Sequence, residues 1–222
     1  MKEYLNVLCN SPLFSGIEKT DLDKMLKCLS ARKASYAKDE YILSAGDAIN
    51  DVGIVLYGSV NIIKEDFWGN RAILTKVQSG EMFGEAFAFA NIQKLPVSAV
   101  ATEKTEVLFV DFGKITTTCS SACLFHSRLI QNILKILASK NIMLTQKLEH
   151  IVKRTTREKL LSYLSEQAIK SGSNTFSIPF NRQELADYLS VDRSAMSKEL
   201  CKLRDEGILE FNKNHFKLVK EY

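Results

Sequence analysis

The sequence has no apolar run approaching the ~20 residues a membrane-spanning helix needs. Its start, Met1-Lys2-Glu3-Tyr4-Leu5-Asn6, carries no apolar signal core. These two absences predict a cytoplasmic protein with no membrane partner. Cysteine is scarce and odd in number, five scattered over 222 residues, which argues against a disulfide framework. Short repeats and low-complexity tracts are missing. Neither sign of charge dominates: 30 Lys and Arg against 26 Asp and Glu give +4. That is too weak to imply a nucleic acid by itself, and it does not oppose an anionic partner. No Walker-type loop, metalloprotease motif or nucleophile elbow occurs. His150 and His215 are isolated in the sequence, so neither builds a catalytic constellation. No enzyme activity and no cofactor are expected. What remains is an ordinary globular balance, 45% hydrophobic and 25% charged, which excludes disordered and collagen-like classes.

Three zones divide the chain. Residues 1–33 read as short helices, with Leu13, Phe14, Leu22, Met25, Leu26 and Leu29 as apolar positions and Thr20 or Asp21 as a cap for the second. Residues 34–112 hold short β-branched or alternating runs: Tyr41-Ile42-Leu43, Gly53 to Leu56, Val60 to Ile63, Ala72 to Leu74, Val97 to Val100 and Val107 to Val110. Turn signals such as Ala45-Gly46-Asp47, Tyr57-Gly58-Ser59 and Trp68-Gly69-Asn70 separate them. Many short strands at close spacing predict a small antiparallel barrel or jelly roll. From about Cys119 the period becomes helical. Ile130, Leu134, Leu137, Asn141, Leu144, Leu148 and Ile151 step by 4 and 3 alternately, a heptad seam. A second apolar set, Leu129, Ile133, Ile136 and Met143, lies beside it. One set suits the barrel and the other a partner helix, with Asn141 as a polar seam residue fixing register in a homodimer. An amphipathic helix lying on its own barrel is the plainer alternative.

The remainder starts shorter helices and ends in a hairpin. Asn181-Arg182-Gln183-Glu184 is a capping-box start. Ser190-Val191 makes a tight turn, and Asp192 caps a second helix carrying Met196, Leu200 and Leu203. Leu209-Glu210-Phe211 and His215 to Val219 then pair across Asn212-Lys213-Asn214. Two short helices, a tight turn and a hairpin form a winged helix-turn-helix. Its outward face is Arg193, Ser194, Ser197 and Lys198, at i, i+1, i+4, i+5. Such a helix enters a major groove with its N-terminal residues on base edges. Arg193 and Lys198 can donate to guanine O6 and N7. Arg182 and Gln183 are further DNA-contact candidates, and Lys202, Lys213 and His215 suit phosphates. The fold class is therefore α+β: residues 1–118 a small antiparallel barrel or jelly roll with its leading helices, 119–153 a long dimerisation helix with Ile130, Leu134, Leu137, Asn141, Leu144 and Leu148 at its interface, and 154–222 a winged helix-turn-helix DNA-binding domain.

Taken together, this order of elements, and above all the stretch Asn181 to Leu200, resembles the Crp/Fnr family of bacterial transcription regulators over essentially the whole chain. The resemblance implies that residues 1–118 are a β-roll sensor domain. It also implies a homodimer on double-stranded DNA, with RNA polymerase as a candidate further partner and a small-molecule effector in the β-roll. Ser190 stands where the family often has Gly. Ser194 stands where the catabolite-activator subtype has Glu, and Lys198 where it has Arg, so the operator differs. Gly80-Glu81-Met82-Phe83-Gly84-Glu85 resembles the family's phosphate-binding cassette, in which a Glu at the place of Glu85 takes a ribose hydroxyl and an Arg about ten residues on pairs with the cyclic phosphate. Here no Arg lies between Arg71 and Arg128; Leu95 or Pro96 falls at that place. Ile142 and Met143 replace the hydroxyl-bearing helix positions. The resemblance thus implies a member that does not bind cyclic AMP. Phe83, Gly84, Glu85, Phe87, Phe89, Leu95, Ser98 and Met143 outline a pocket for an apolar or aromatic effector, although each phenylalanine also suits plain core filling. Cys9 and Cys28 are too few and too far apart for an iron–sulfur cluster. Cys119, Cys123 and His126 have C-x3-C-x2-H spacing, one ligand short of structural zinc, so no metal is assigned. Two alternatives stay open: a sensor acting through protein contacts, and a constitutive DNA-binding dimer with a vestigial pocket.

Overall fold

The computed structural model describes residues 4–116 and 124–219. The chain folds as two compact units, residues 1–69 with 74–140, and residues 70–73 with 141–222. Among the described residues, no helix is long and apolar enough to cross a membrane.

The first unit opens with α1 (Leu5–Asn10) and α2 (Lys19–Cys28). The cap of α2 is Glu18, not Thr20 or Asp21. Asp21 instead sits inside the first turn, where its carboxylate opposes the positive end of the helix dipole. Eight strands follow: β1 (Arg32–Tyr36), β2 (Tyr41–Leu43), β3 (Asp51–Tyr57), β4 (Val60–Glu65), β5 (Arg71–Val77), β6 (Met82–Phe83), β7 (Ser98–Ala101) and β8 (Thr105–Asp111). They form two antiparallel sheets, ordered β1-β8-β3-β6 and β2-β7-β4-β5. Each apolar run named from the sequence lies in one of these strands, apart from Val97, which just precedes β7.

β3 shows why the roll holds together. Its side chains alternate between faces. Val52, Ile54 and Leu56 pack with Leu8, Phe14, Leu22 and Leu26 from the helices, and Val55 packs with Val60, Phe83, Val107 and Phe109 inside the roll. A strand buried on both faces needs an unbroken apolar run, and Val52 to Leu56 supplies it around one glycine. Gly53 is that exception because a Cβ there would lie 2.4 Å from Cζ of Phe83.

Between β6 and β7 lies α3 (Glu85–Phe89), and α4 (Phe112–Thr116) follows β8. The long helix α5 (Leu124–Ile151) begins in the first unit. Leu129 and Ile133 are buried in the helix-side core, with Ile136 and Leu137 packed partly against it. Asn132 donates to the carbonyls of Leu13 and Ser15, both at 2.9 Å, and so pins α5 to the N-terminal turn. Ile130 and Leu134 of the heptad row stay exposed, as do Leu144 and Leu148 in the second unit.

The second unit continues with α6 (Thr156–Ser171), β9 (Thr175–Ser177), α7 (Arg182–Leu189), α8 (Arg193–Asp205), β10 (Leu209–Asn212) and β11 (His215–Leu218). The hairpin read from the sequence is β10–β11, and β9 adds a third strand beside β11. Capping boxes start α6, Thr155 with Glu158, and α7, Asn181 with Glu184.

Candidate nucleic-acid interface and effector cassette

The two-helix unit is set by its caps and its apolar seam. Asp192 accepts the backbone N–H of Ala195 at 2.7 Å and starts α8. Leu185, Leu189, Met196, Leu200 and Leu203 are at most 1% exposed and lock α7 to α8. Between the helices, Ser190 adopts a left-handed conformation, φ 52 and ψ 58. A non-glycine residue there costs roughly 1–2 kcal/mol. Lys159 compensates by donating to the carbonyls of Leu189 at 3.3 Å and Ser190 at 3.4 Å. Arg157 of α6 clamps α8 from the other side, reaching Glu199 at 3.2 Å and Glu206 at 2.5 Å.

On this frame Arg193, Ser194 and Lys198 are exposed and Ser197 is half-buried, all on one side of α8. None of the four has a side-chain hydrogen bond or ion pair among the described residues. Lys202 is exposed and lies 3.5 Å from Glu199. Lys213 stands at the exposed hairpin tip with φ 54. Gln183 is exposed and donates to Asp187 at 2.8 Å. His215 shares a 2.6 Å hydrogen bond with Ser177. Arg182 differs from the others. Its guanidinium lies 4.7 Å from the Phe211 ring centroid and 5.1 Å from that of Phe216, and burial pushes its pKa below the usual arginine value. It braces α7 against the hairpin, a cation–π contact, and its place is off the α8 face.

His150 is not isolated, as the sequence suggested. It is 3% exposed, with Nδ1 2.7 Å from Ser162 Oγ and Nε2 2.7 Å from Glu166 Oε2. Burial alone would raise the Glu166 pKa, but hydrogen bonds from Lys170 and His150, with their charges, hold it below the usual carboxylate value. The row joins the end of α5 to α6, and neither residue of α6 was flagged because they lie 12 and 16 positions away. Lys147 of α5 is buried with its ammonium 4.1 Å above the Tyr188 ring; burial depresses its pKa to about 8.

In the first unit, Gly80 and Gly84 take φ 87 and φ 83 around β6. At Gly84 the left-handed φ of 83 favours glycine where the chain turns into α3. Glu85 follows, its side chain 3% exposed. Lys140 of α5 donates to Glu85 Oε1 at 2.6 Å and to the Met82 carbonyl at 2.5 Å. Among the described residues, Glu85 Oε2 is buried with no hydrogen-bond partner. Leu95 is 3% exposed and tied by its backbone to Asp47 and Gly46. Ser98 Oγ accepts the Ala45 N–H at 2.9 Å. Phe83 is 1% exposed, its ring 6.5 Å from that of Phe109, with Phe87 packed against the same cluster. Phe89 stacks edge-on with Phe112 at 4.6 Å. The aromatics therefore fill the fold. Gly84, Glu85, Leu95 and Ser98 lie in this unit, whereas Met143, half exposed, belongs to the other. His126 is buried and hydrogen-bonds the Lys114 carbonyl at 3.2 Å; Cys119 and Cys123 lie outside the described residues.

Two family models match in the order of the two units. Residues 33–121 match the cyclic nucleotide-binding domain. Residues 158–221 match the Crp-like helix-turn-helix domain. The chain belongs to the Crp/Fnr family. It is a transcription regulator of that type with a DNA-binding helix-turn-helix. It is 22% identical over 212 residues to the transcriptional activator protein FnrA of Stutzerimonas stutzeri, covering 93% of this chain and 82% of that protein. Among solved structures it shares the fold of the c-di-GMP-responsive global regulator CLP of Xanthomonas campestris, with TM-score 0.74, 19% identity, and 92% and 100% of the two chains covered. It also shares that of FixK2 from Bradyrhizobium japonicum, with TM-score 0.66, 21% identity, and 86% and 93% covered.

Proposed function

We propose that this Crp/Fnr chain works in the cytoplasm as a homodimer that reads a specific DNA sequence, with control entering through the cassette. The observation that carries the reading is the α8 face: among the described residues, Arg193, Ser194, Ser197 and Lys198 are left without partners on a helix that caps, core and the Arg157 clamp hold firm. Arg193 supplies a forked donor suited to guanine, Lys198 a point donor, and the serines less selective contacts. Lys202 and Lys213 take phosphates. The exposed apolar row Ile130, Leu134, Leu144 and Leu148 on a 28-residue helix supports dimerisation through a coiled coil. A dimer would set two recognition helices one DNA turn apart, ~34 Å. Only a signal that binds the two states of the dimer unequally shifts that spacing. RNA polymerase is a candidate further partner in this reading.

The cassette does not fit cyclic AMP. A cyclic phosphate needs a cationic fork, and the residue at that place, Leu95 or Pro96, is no cation. The responsiveness of CLP to c-di-GMP makes that dinucleotide a direct comparison ligand. The test is electrophoretic retardation on upstream DNA. Wild type shifts a discrete fragment, with affinity falling steeply with salt as counterions are released. The Arg193→Ala/Lys198→Ala double variant loses sequence discrimination, each lost base contact being worth about 1–3 kcal/mol. Sequence-specific binding retained by the double variant would reject the assigned face.

A further inference from the structure

We propose that the cassette of this chain is an ammonium site, filled by Lys140 of its own long helix, and not a phosphate site. The inference deepens the functional reading above and rests on it for its consequence at DNA. Two oxygens converge on one cation: Glu85 Oε1 at 2.6 Å and the Met82 carbonyl at 2.5 Å from Lys140 Nζ. A third acceptor, Glu85 Oε2, is buried beside them with no hydrogen-bond partner among the described residues. Each of these groups accepts, so an ammonium with its three donors matches them. A phosphate would add only further acceptors next to a carboxylate that is 3% exposed. The place where a guanidinium would reverse that balance holds Leu95 or Pro96, neither of them a cation.

A buried carboxylate without its cation is strongly destabilising. Lys140 therefore does two things. It neutralises Glu85, and it fastens α5 to a cassette 55 residues earlier in the chain. At the cassette the long helix is held by a residue of the protein itself. The ligand class able to stand in for Lys140 is a small primary amine.

Chemical rescue tests this on the full chain. The expected result is that Lys140→Ala melts several degrees below wild type. n-Propylammonium chloride at tens of millimolar then raises the melting temperature of that variant but not of wild type. Tetramethylammonium chloride at equal ionic strength, which has no N–H, does not. Glu85→Gln/Lys140→Ala shows no amine response. Wild type binds its DNA fragment with no added ligand, Lys140→Ala binds it at least several-fold more weakly, and propylammonium restores the loss. If Lys140→Ala shows no cooperative melting, Glu85→Leu/Lys140→Met should recover it, because removing both charges removes the penalty. The site is overturned if Lys140→Ala is as stable as wild type, if propylammonium has no selective effect on it, or if the double apolar variant stays unfolded. A normal amine-dependent melting shift with no DNA binding by wild type overturns the functional reading and leaves the site standing.

Discussion

The second unit turns its decisive charges outward, and the first turns its decisive charges inward. On α8, Arg193 and Lys198 face solvent with no partner among the described residues. In the cassette, Glu85 is buried and taken up by Lys140. Both arrangements follow from one rule. A donor that must bind another molecule has to be left unsatisfied at the surface, where water covers its cost. A charge inside the fold has to be paired where it stands. A surface that reads DNA therefore looks polar in one short stretch of sequence, and an internal pair does not.

The largest break in this comparison comes from the helix that begins in one unit and ends in the other. Leu134→Glu with Leu148→Glu places charges at two positions that are 62% and 59% exposed in the single chain. The fold should be kept, sedimentation should show a monomer, and specific DNA affinity should fall at least 100-fold, about 3 kcal/mol. A dimer persisting in that variant would exclude the seam. Next is Leu200→Ala, which opens a cavity between α7 and α8. We expect a loss of 2–5 kcal/mol of stability, read by denaturant unfolding, with the Glu85–Lys140 pair of the other unit kept.

The third effect is a pH dependence from Lys147. Its folded pKa is about 8 against 10.5 when unfolded. Between those values the unfolded chain binds more protons, so stability rises with pH, by up to about 1.4 kcal/mol per unit. Below the folded value the penalty is full and constant. Unfolding of wild type and Lys147→Met near neutrality and near pH ~9.5 should show the gap between them narrowing on the alkaline side. A constant gap would show that the lysine stays charged in the fold across this range, with no depressed pKa. The smallest effect is at the turn. Ser190→Gly relieves the left-handed conformation and should add roughly 1 kcal/mol, seen as a small rise in melting temperature with DNA sequence preference unchanged.

How much was legible follows the same divide. The α7–α8 pair was plain because its signals are local: Asn181 with Glu184, Asp192 with Ala195, and an apolar residue every three or four positions. The central strands were plain because burial on one or both faces demands apolar runs. β1 was not, since Arg32-Lys33-Ala34-Ser35-Tyr36 is mostly exposed and pairs through its backbone with β8. β9, three residues long, gave no pattern. Arg182 looked like one more polar face residue, because the rings that stack on it arrive 29 and 34 positions later. Lys140 resembled any solvated lysine of a long helix, and only the folded chain brings it to Glu85.

Gly53 carries a consequence for that carboxylate. The Phe83 ring rests directly on bare backbone at Gly53, and Phe83 stands two residues before Glu85. The floor beneath the cassette is thus a rigid aromatic plate seated on a strand, with no soft side chain between them to absorb a shift. A single methyl added at position 53 would be transmitted through the ring to the acid, so the anchoring point of the long helix is only as adjustable as the thickness of one missing carbon.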